Sequence, residues 1–183
     1  MTTKSRHQHT LARYYTGVGS RKTPASVLAL MTRLAQTLAS AGWTLRSGAA
    51  DGADAAFEAG AGRAAEIYLP WRGFNRHTSP LHEVTPDALM LAAEVHPVWD
   101  RLSDAARKLH ARNCYQVLGS KLCRPSTFLV CWTPDGATSA QECTRDTGGT
   151  ATAIRLADRF GVPTFNLARP DHLERVREYM DGR

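Results

Sequence analysis

Apolar and polar positions along the chain fall into short blocks that change period, and each change predicts an element. Residues 14–18 (YYTGV) form an apolar run read as the first strand, ending in the loop Gly19-Ser20-Arg21-Lys22-Thr23. Pro24 suits the first turn of a helix, with Thr23 as its cap. Val27, Met31, Leu34 and Leu38 then recur at helical spacing as far as Gly42, which places them on one face. Residues 43–45 read as a second strand, the turn Ser47-Gly48-Ala49-Ala50-Asp51-Gly52-Ala53-Asp54 follows, an alanine-rich helix runs through Ala61, and residues 66–69 read as a third strand. Strand-helix-strand-helix-strand at this spacing calls for right-handed crossovers and a parallel sheet, hence an α/β fold.

The middle of the chain is less regular. Residues 76–86 show no period, while 87–95 and 98–111 read as helices, the second with Val98, Leu102, Ala105 and Leu109 on one stripe. Together 76–111 form a helical excursion before the next strand and a candidate lid. Arg112-Asn113 then precedes a short apolar helix over 114–118. Residues 127–132 (TFLVCW) are the most apolar run, as expected of a central parallel strand covered on both faces. Thr133-Pro134-Asp135-Gly136 reads as a turn and 137–147 as a polar loop. Gly148-Gly149-Thr150 opens a helix with Ile154, Ala157 and Phe160 inward, stopped at Gly161. Residues 162–167 supply the last strand, and Asp171 caps a closing helix.

Composition narrows the class without naming an activity. At 183 residues, 43% hydrophobic and 22% charged, the chain reads as one domain over 14–183 that needs no disulfide or metal staple. A net charge of +6 permits an anionic partner but does not require one. Cys114, Cys123, Cys131 and Cys143 have no Cys-x-x-Cys spacing, which predicts reduced thiols. The histidines lack metal-ligand spacing, so neither metal nor cofactor is expected. No apolar stretch approaches the ~18 residues of a membrane span, and no signal peptide is evident, so a cytoplasmic protein without membrane partners is expected. Residues 1–13 are polar and basic and read as a mobile arm, solvated or touching nucleic acid.

The candidate chemistry lies at the predicted strand ends. A tight turn feeding a helix leaves unpaired backbone N–H groups aimed at whatever sits above the strand, a site for phosphate. Gly19, Gly48, Gly148 and Gly149 allow such close approach. Arg21 and Arg112 add fixed positive charge. Ser20, Ser47 and Thr150 either bond phosphate or ribose or cap helices, and Thr133 and Asn113 join the set by position. Asp51 caps its own helix in one reading, whereas Asp54 bonds a ribose hydroxyl or locks a loop. Trp71, beside Arg72 and Phe74, either stacks on a base or plugs the sheet edge.

Gly19-Ser20-Arg21, Ser47-Gly48-Ala49-Ala50-Asp51-Gly52-Ala53-Asp54, Arg112-Asn113 and Gly148-Gly149-Thr150 occur in order over nearly the whole chain. This pattern resembles the SLOG superfamily of Rossmann-like nucleotide-binding proteins, and within it the Rossmann core of the DNA-processing protein DprA (Smf). Residues 68–75 look like the small single-domain relatives found in phages and prophages. The resemblance implies a Rossmann-like, doubly wound, mostly parallel sheet with helices on both faces, and a homodimer. It also implies a nucleotide or nucleotide-derived ligand, signalling nucleotides included, at the strand carboxyl ends. LOG-type relatives hydrolyse nucleoside 5′-monophosphates, a glycosidic cleavage that needs a carboxylate near the ribose. Arg112 matches the LOG arginine, but Ala153, Ile154 and Arg155 stand where that pattern has its acidic residues, which leaves Asp54 or Glu142 to act. The DprA likeness implies single-stranded DNA binding through Arg21, Lys22, Arg72, Arg112 and Lys121, without room for the flanking domains of a complete recombination mediator.

Overall fold

The computed structural model describes residues 12–182. Five parallel strands, β1 (Arg13–Gly17), β2 (Trp43–Ser47), β3 (Ala65–Ile67), β4 (Phe128–Cys131) and β5 (Thr164–Asn166), form one sheet in the order β3-β2-β1-β4-β5. Helices α1 (Ala25–Ser40) and α2 (Ala53–Ala61) carry the chain outward from β1 to β3. Helices α3 (Pro86–Val95) and α4 (Asp104–Leu118) bring it back across the sheet to β4, and α5 (Ala151–Arg159) and α6 (His172–Asp181) complete the chain. Tyr15 of β1 sits opposite Leu45 on one side and Phe128 on the other. The direction of winding therefore reverses between β1 and β4, and the loops leaving those strands part to open a crevice at their carboxyl ends.

Both faces are covered, so the fold is Rossmann-like and doubly wound. Helices α1, α2 and α6 bury Met31, Leu38, Phe57 and Val176 against Tyr15, Leu45, Phe128 and Phe165. Helices α3, α4 and α5 bury Ala88, Val117, Leu118 and Ile154 against Leu129 and Cys131. All four residues of β4 are buried, which explains its unbroken apolar run. Phe128 stacks on Tyr15 at 5.7 Å and meets Trp43 edge-on at 5.1 Å. Cutting it to alanine would cost about 3–5 kcal/mol.

Several local expectations are corrected. Residues 1–11 of the expected arm lie outside the described residues, and Arg13 opens β1 rather than ending an arm. Thr23 does not cap α1: its hydroxyl donates to the Ser20 carbonyl at 2.7 Å. Arg112-Asn113 does not precede a helix but sits inside α4, because 104–118 holds no glycine or proline to break it. That helix starts only at Asp104, where Ser103 Oγ accepts from the Ala106 amide, and Val98 lies 46% exposed before it. Phe160, just past α5, is 40% exposed rather than inward. Asp51 does not cap its helix, since Gly52 holds the cap position of α2 with φ +82; Asp171 does hold the cap position of α6, but its side chain makes no capping bond and pairs with Arg175 at 3.8 Å. All four cysteines are free, and among the described residues no helix is long and apolar enough to cross a membrane.

Candidate ligand crevice

The crevice between β1 and β4 is a cavity of about 720 Å³. Three segments meet there. The loop after β1 gives Gly19, Ser20, Arg21 and Lys22; helix α4 gives His110, Arg112, Asn113 and Gln116; the entry to α5 gives Gly148, Gly149 and Thr150. Asp54, in the first turn of α2, completes the floor.

The β1 loop is fixed by continuing the sheet beyond the strand. The Val18 amide donates to Val130 O at 3.1 Å and the Ser20 amide to Trp132 O at 3.0 Å, while Ser20 Oγ accepts from the Lys22 amide. Those two amides are spent inside the protein, so this loop offers an anion the side chains of Arg21 and Lys22 rather than a nest of N–H groups. A Cβ on Gly52 would come within 2.8 Å of both Arg21 Cα and Ser20 O, so the turn before α2 lies directly against this loop. The α5 entry is a tight turn over Gly148–Thr150, in which the Gly148 amide donates to Arg145 O at 3.3 Å and the Ala151 amide to Gly148 O. Asn113 Nδ2 donates to Gly149 O at 3.0 Å and ties that entry to α4.

The loop between β4 and α5 is held by a carboxylate that sequence reading treated as a turn residue. Asp135 accepts from the hydroxyls of Thr133 (2.7 Å), Thr144 (2.6 Å) and Thr147. Burial opposes its ionisation, but the bonds from Thr144, Thr147, Thr133 and the Ala137 amide outweigh that and hold its pKa well below the usual carboxylate range.

At the floor, Arg112 and Asp54 are both buried, 3.5 Å apart. Arg112 Nη1 also donates to the Gly48 carbonyl, and Gln116 Nε2 to Asp54 Oδ2 at 3.4 Å. Burial raises the Asp54 pKa to about 6, with Arg112, the Ala50 amide, Gln116 and the Gly19 amide pulling the other way. Burial likewise lowers the Arg112 pKa; Asp54 opposes that and Arg21 adds to it. The pair persists because each charge is the main compensation for the other. His110 Nδ1 lies 2.8 Å from Thr152 Oγ1, and burial, followed by His96, Arg112 and Arg155, lowers its pKa to about 4. It is neutral at neutral pH.

Of the residues singled out from sequence, Gly19, Ser20, Arg21, Asp54, Arg112, Asn113, Gly148, Gly149 and Thr150 line the crevice together. Thr150 makes no capping bond. The others have different places. Ser47 Oγ donates to Gly17 O at 2.7 Å and ties β2 to β1. Gly48 lies under Arg112 without lining the cavity. Asp51 is exposed in the turn before α2. Trp71 does not line the cavity; it packs edge-on against Phe74, whose ring lies 5.8 Å from the Arg112 guanidinium. Thr133 is fully buried and bonded to Asn166 and Asp135.

Glu142 is paired with Arg169 at 2.8 Å, and the hydrogen bonds from Arg169 and Thr138 hold its pKa near 2. It is outside the cavity, so Asp54 is the carboxylate of the two that faces it. Gln116, His110 and Arg145 were not singled out by sequence, and Lys22 only as a contact for single-stranded DNA. A continuous α4 would have shown the first two, since Ala106, His110, Asn113 and Gln116 recur every three or four residues.

Neither a protein-family model nor a curated protein matches this chain. Among solved structures, DNA processing protein A from Helicobacter pylori, described for its unique single-stranded DNA binding mode, matches with a TM-score of 0.55 at 17% identity. The fold is DprA-like. The match covers 85% of this chain but 64% of that one, so this chain spans less than two thirds of its structural relative. At that identity the likeness is one of architecture alone.

Proposed function

We propose that the protein binds a nucleotide or nucleotide-derived ligand in the crevice between β1 and β4, with phosphate at the rim. One observation carries the reading: Arg21, Lys22, Arg145 and the Gly148–Thr150 turn that leads into α5 line one cavity at the point where the sheet reverses its winding. The volume of about 720 Å³ suits a small ligand, for which pockets run to roughly 300–1,000 Å³. Calorimetric titration with ribonucleoside mono-, di- and triphosphates tests it. The double variant Arg21→Ala/Lys22→Ala should weaken binding by about ten- to a hundredfold, because hydrogen bonds to charged groups contribute roughly 1.5–3 kcal/mol. Silence from the whole panel at millimolar concentration would refute the reading.

A second reading, single-stranded DNA binding, draws support from the DprA-like architecture and from exposed Arg21, Lys22, Arg72 and Lys121. Its test is anisotropy of a labelled oligonucleotide across a salt series. Affinity should fall with log salt at about 0.7 per phosphate neutralised. A flat salt dependence removes this reading and leaves the first standing.

A further inference from the structure

Two buried polar atoms on the cavity floor have no hydrogen-bond partner: Arg112 Nε, a donor, and Gln116 Oε1, an acceptor. Their residues are 5% and 1% exposed, stand one turn apart on α4, and both line the crevice. The orientation of the Gln116 amide follows from its neighbour. Nε2 faces the Asp54 carboxylate at 3.4 Å, because the carbonyl end would be repelled there, so Oε1 is the end left over. Arg112 spends Nη1 on Gly48 O and Asp54, whereas its buried Nε makes no hydrogen bond. Buried groups of this kind are rarely left unpaired, since the loss is worth about ten- to a hundredfold in an equilibrium.

Charge separates the floor from the rim. On the floor Arg112 and Asp54 cancel, whereas at the rim Arg21, Lys22 and Arg145 face only Asp146. Phosphate is drawn to the rim, and a neutral group that both accepts and donates suits the floor.

We infer that Arg112 Nε and Gln116 Oε1 form a subsite for the neutral end of the ligand, either a furanose hydroxyl or the amide edge of a base. The inference rests on the nucleotide reading above and adds orientation and discrimination to it, with Gln116 as the residue that selects. A hydroxyl meets both needs by accepting from Nε and donating to Oε1. A guanine edge does the same with its carbonyl and ring N–H.

The experiment is calorimetry with three ligands, adenosine, 2′,3′-dideoxyadenosine and 2′,3′-dideoxyguanosine 5′-monophosphates, and inorganic pyrophosphate as the rim probe. A hydroxyl subsite makes dideoxyadenosine monophosphate bind about ten- to a hundredfold more weakly than adenosine monophosphate. A base-edge subsite makes the dideoxyguanosine compound bind more tightly than its dideoxyadenosine counterpart by a similar factor. Gln116→Met should abolish whichever preference is seen while keeping pyrophosphate affinity within about twofold, since the rim is untouched. Should that variant fail to fold, the ligand series on the unmodified protein still decides. Equal affinity for all three nucleotides, or a preference that survives Gln116→Met, overturns the subsite and spares the nucleotide reading. No binding of nucleotides or pyrophosphate overturns both.

Discussion

A Cβ built on Gly48 would lie 1.3 Å from Nη1 of Arg112. The guanidinium fills the space that any other residue at 48 would need, and it holds the Gly48 carbonyl through that nitrogen. Gly48→Ala must therefore push Arg112 off both the carbonyl and Asp54. Overpacking of this kind costs about 1–3 kcal/mol, read as a lower denaturant midpoint at unchanged slope. Loss of ligand binding should accompany it, because the floor of the crevice loses its fixed cation.

Burial of Asp54, only partly offset by Arg112, makes stability depend on pH in the acid range. The Asp54 pKa is raised in the folded protein to about 6, above its ordinary value of 3.8, so between those values the folded state holds a proton that the unfolded chain has released. Its contribution is fully present below about pH 4 and is lost as pH rises through 6, on the order of 1–3 kcal/mol. Asp135 and Glu142, with lowered pKa values, act in the opposite direction and below that window: their stabilisation is present above pH 4 to 5 and fades as pH falls. Chemical denaturation of Asp54→Asn against the unmodified protein from pH 4 to 7 isolates the first effect. The variant should show no decline over that range, and parallel curves would contradict the assignment.

Asp135 ties Thr133, Thr144 and Thr147 into one loop. Asp135→Ala should cost about 2 kcal/mol, since hydrogen bonds to a charged acceptor contribute roughly 1.5–3 each and some of the freed hydroxyls reach water. Amide hydrogen exchange over residues 137–150 should speed up, while that of β1 and β2 stays slow.

Asn166 has no exposed surface and every polar atom of its side chain is used. Nδ2 donates to Thr133 Oγ1 at 2.7 Å and Ala137 O at 2.9 Å, and Oδ1 accepts from the amides of Thr133 and Ala168. Asn166→Leu keeps the volume but strands those partners, and should destabilise by about 2–4 kcal/mol. Asn166→Asp replaces the two N–H donors with acceptors, so thermal unfolding should show it to be no better tolerated at neutral pH.

Most of the elements were legible in the chain because most strands and helices carry their own period and stop signal, α4 excepted, while the doubly wound order came from the family resemblance. Met31, Leu34 and Leu38 declare the buried face of α1, and the unbroken apolar run of β4 declares a strand covered on both sides. The motif residues Gly19, Arg21, Arg112 and Gly149 were also legible, as glycines at turns and cations beside them. The partition of those residues was not. Ser47 and Thr133 carry the same hydroxyl as Thr150 and Ser20, yet the first two are consumed by backbone and by Asn166, while Thr150 and Ser20 line the cavity, Ser20 Oγ also accepting from the Lys22 amide. Gln116 reads as one polar residue in a helix until Asp54, 62 positions earlier, turns its amide. Local pattern determines which element a residue joins, because backbone preference and periodicity are properties of neighbouring positions. Hydrogen-bond partners and burial come from segments far apart in the chain, so only the tertiary structure decided which polar groups were spent on the fold and which were left for a ligand.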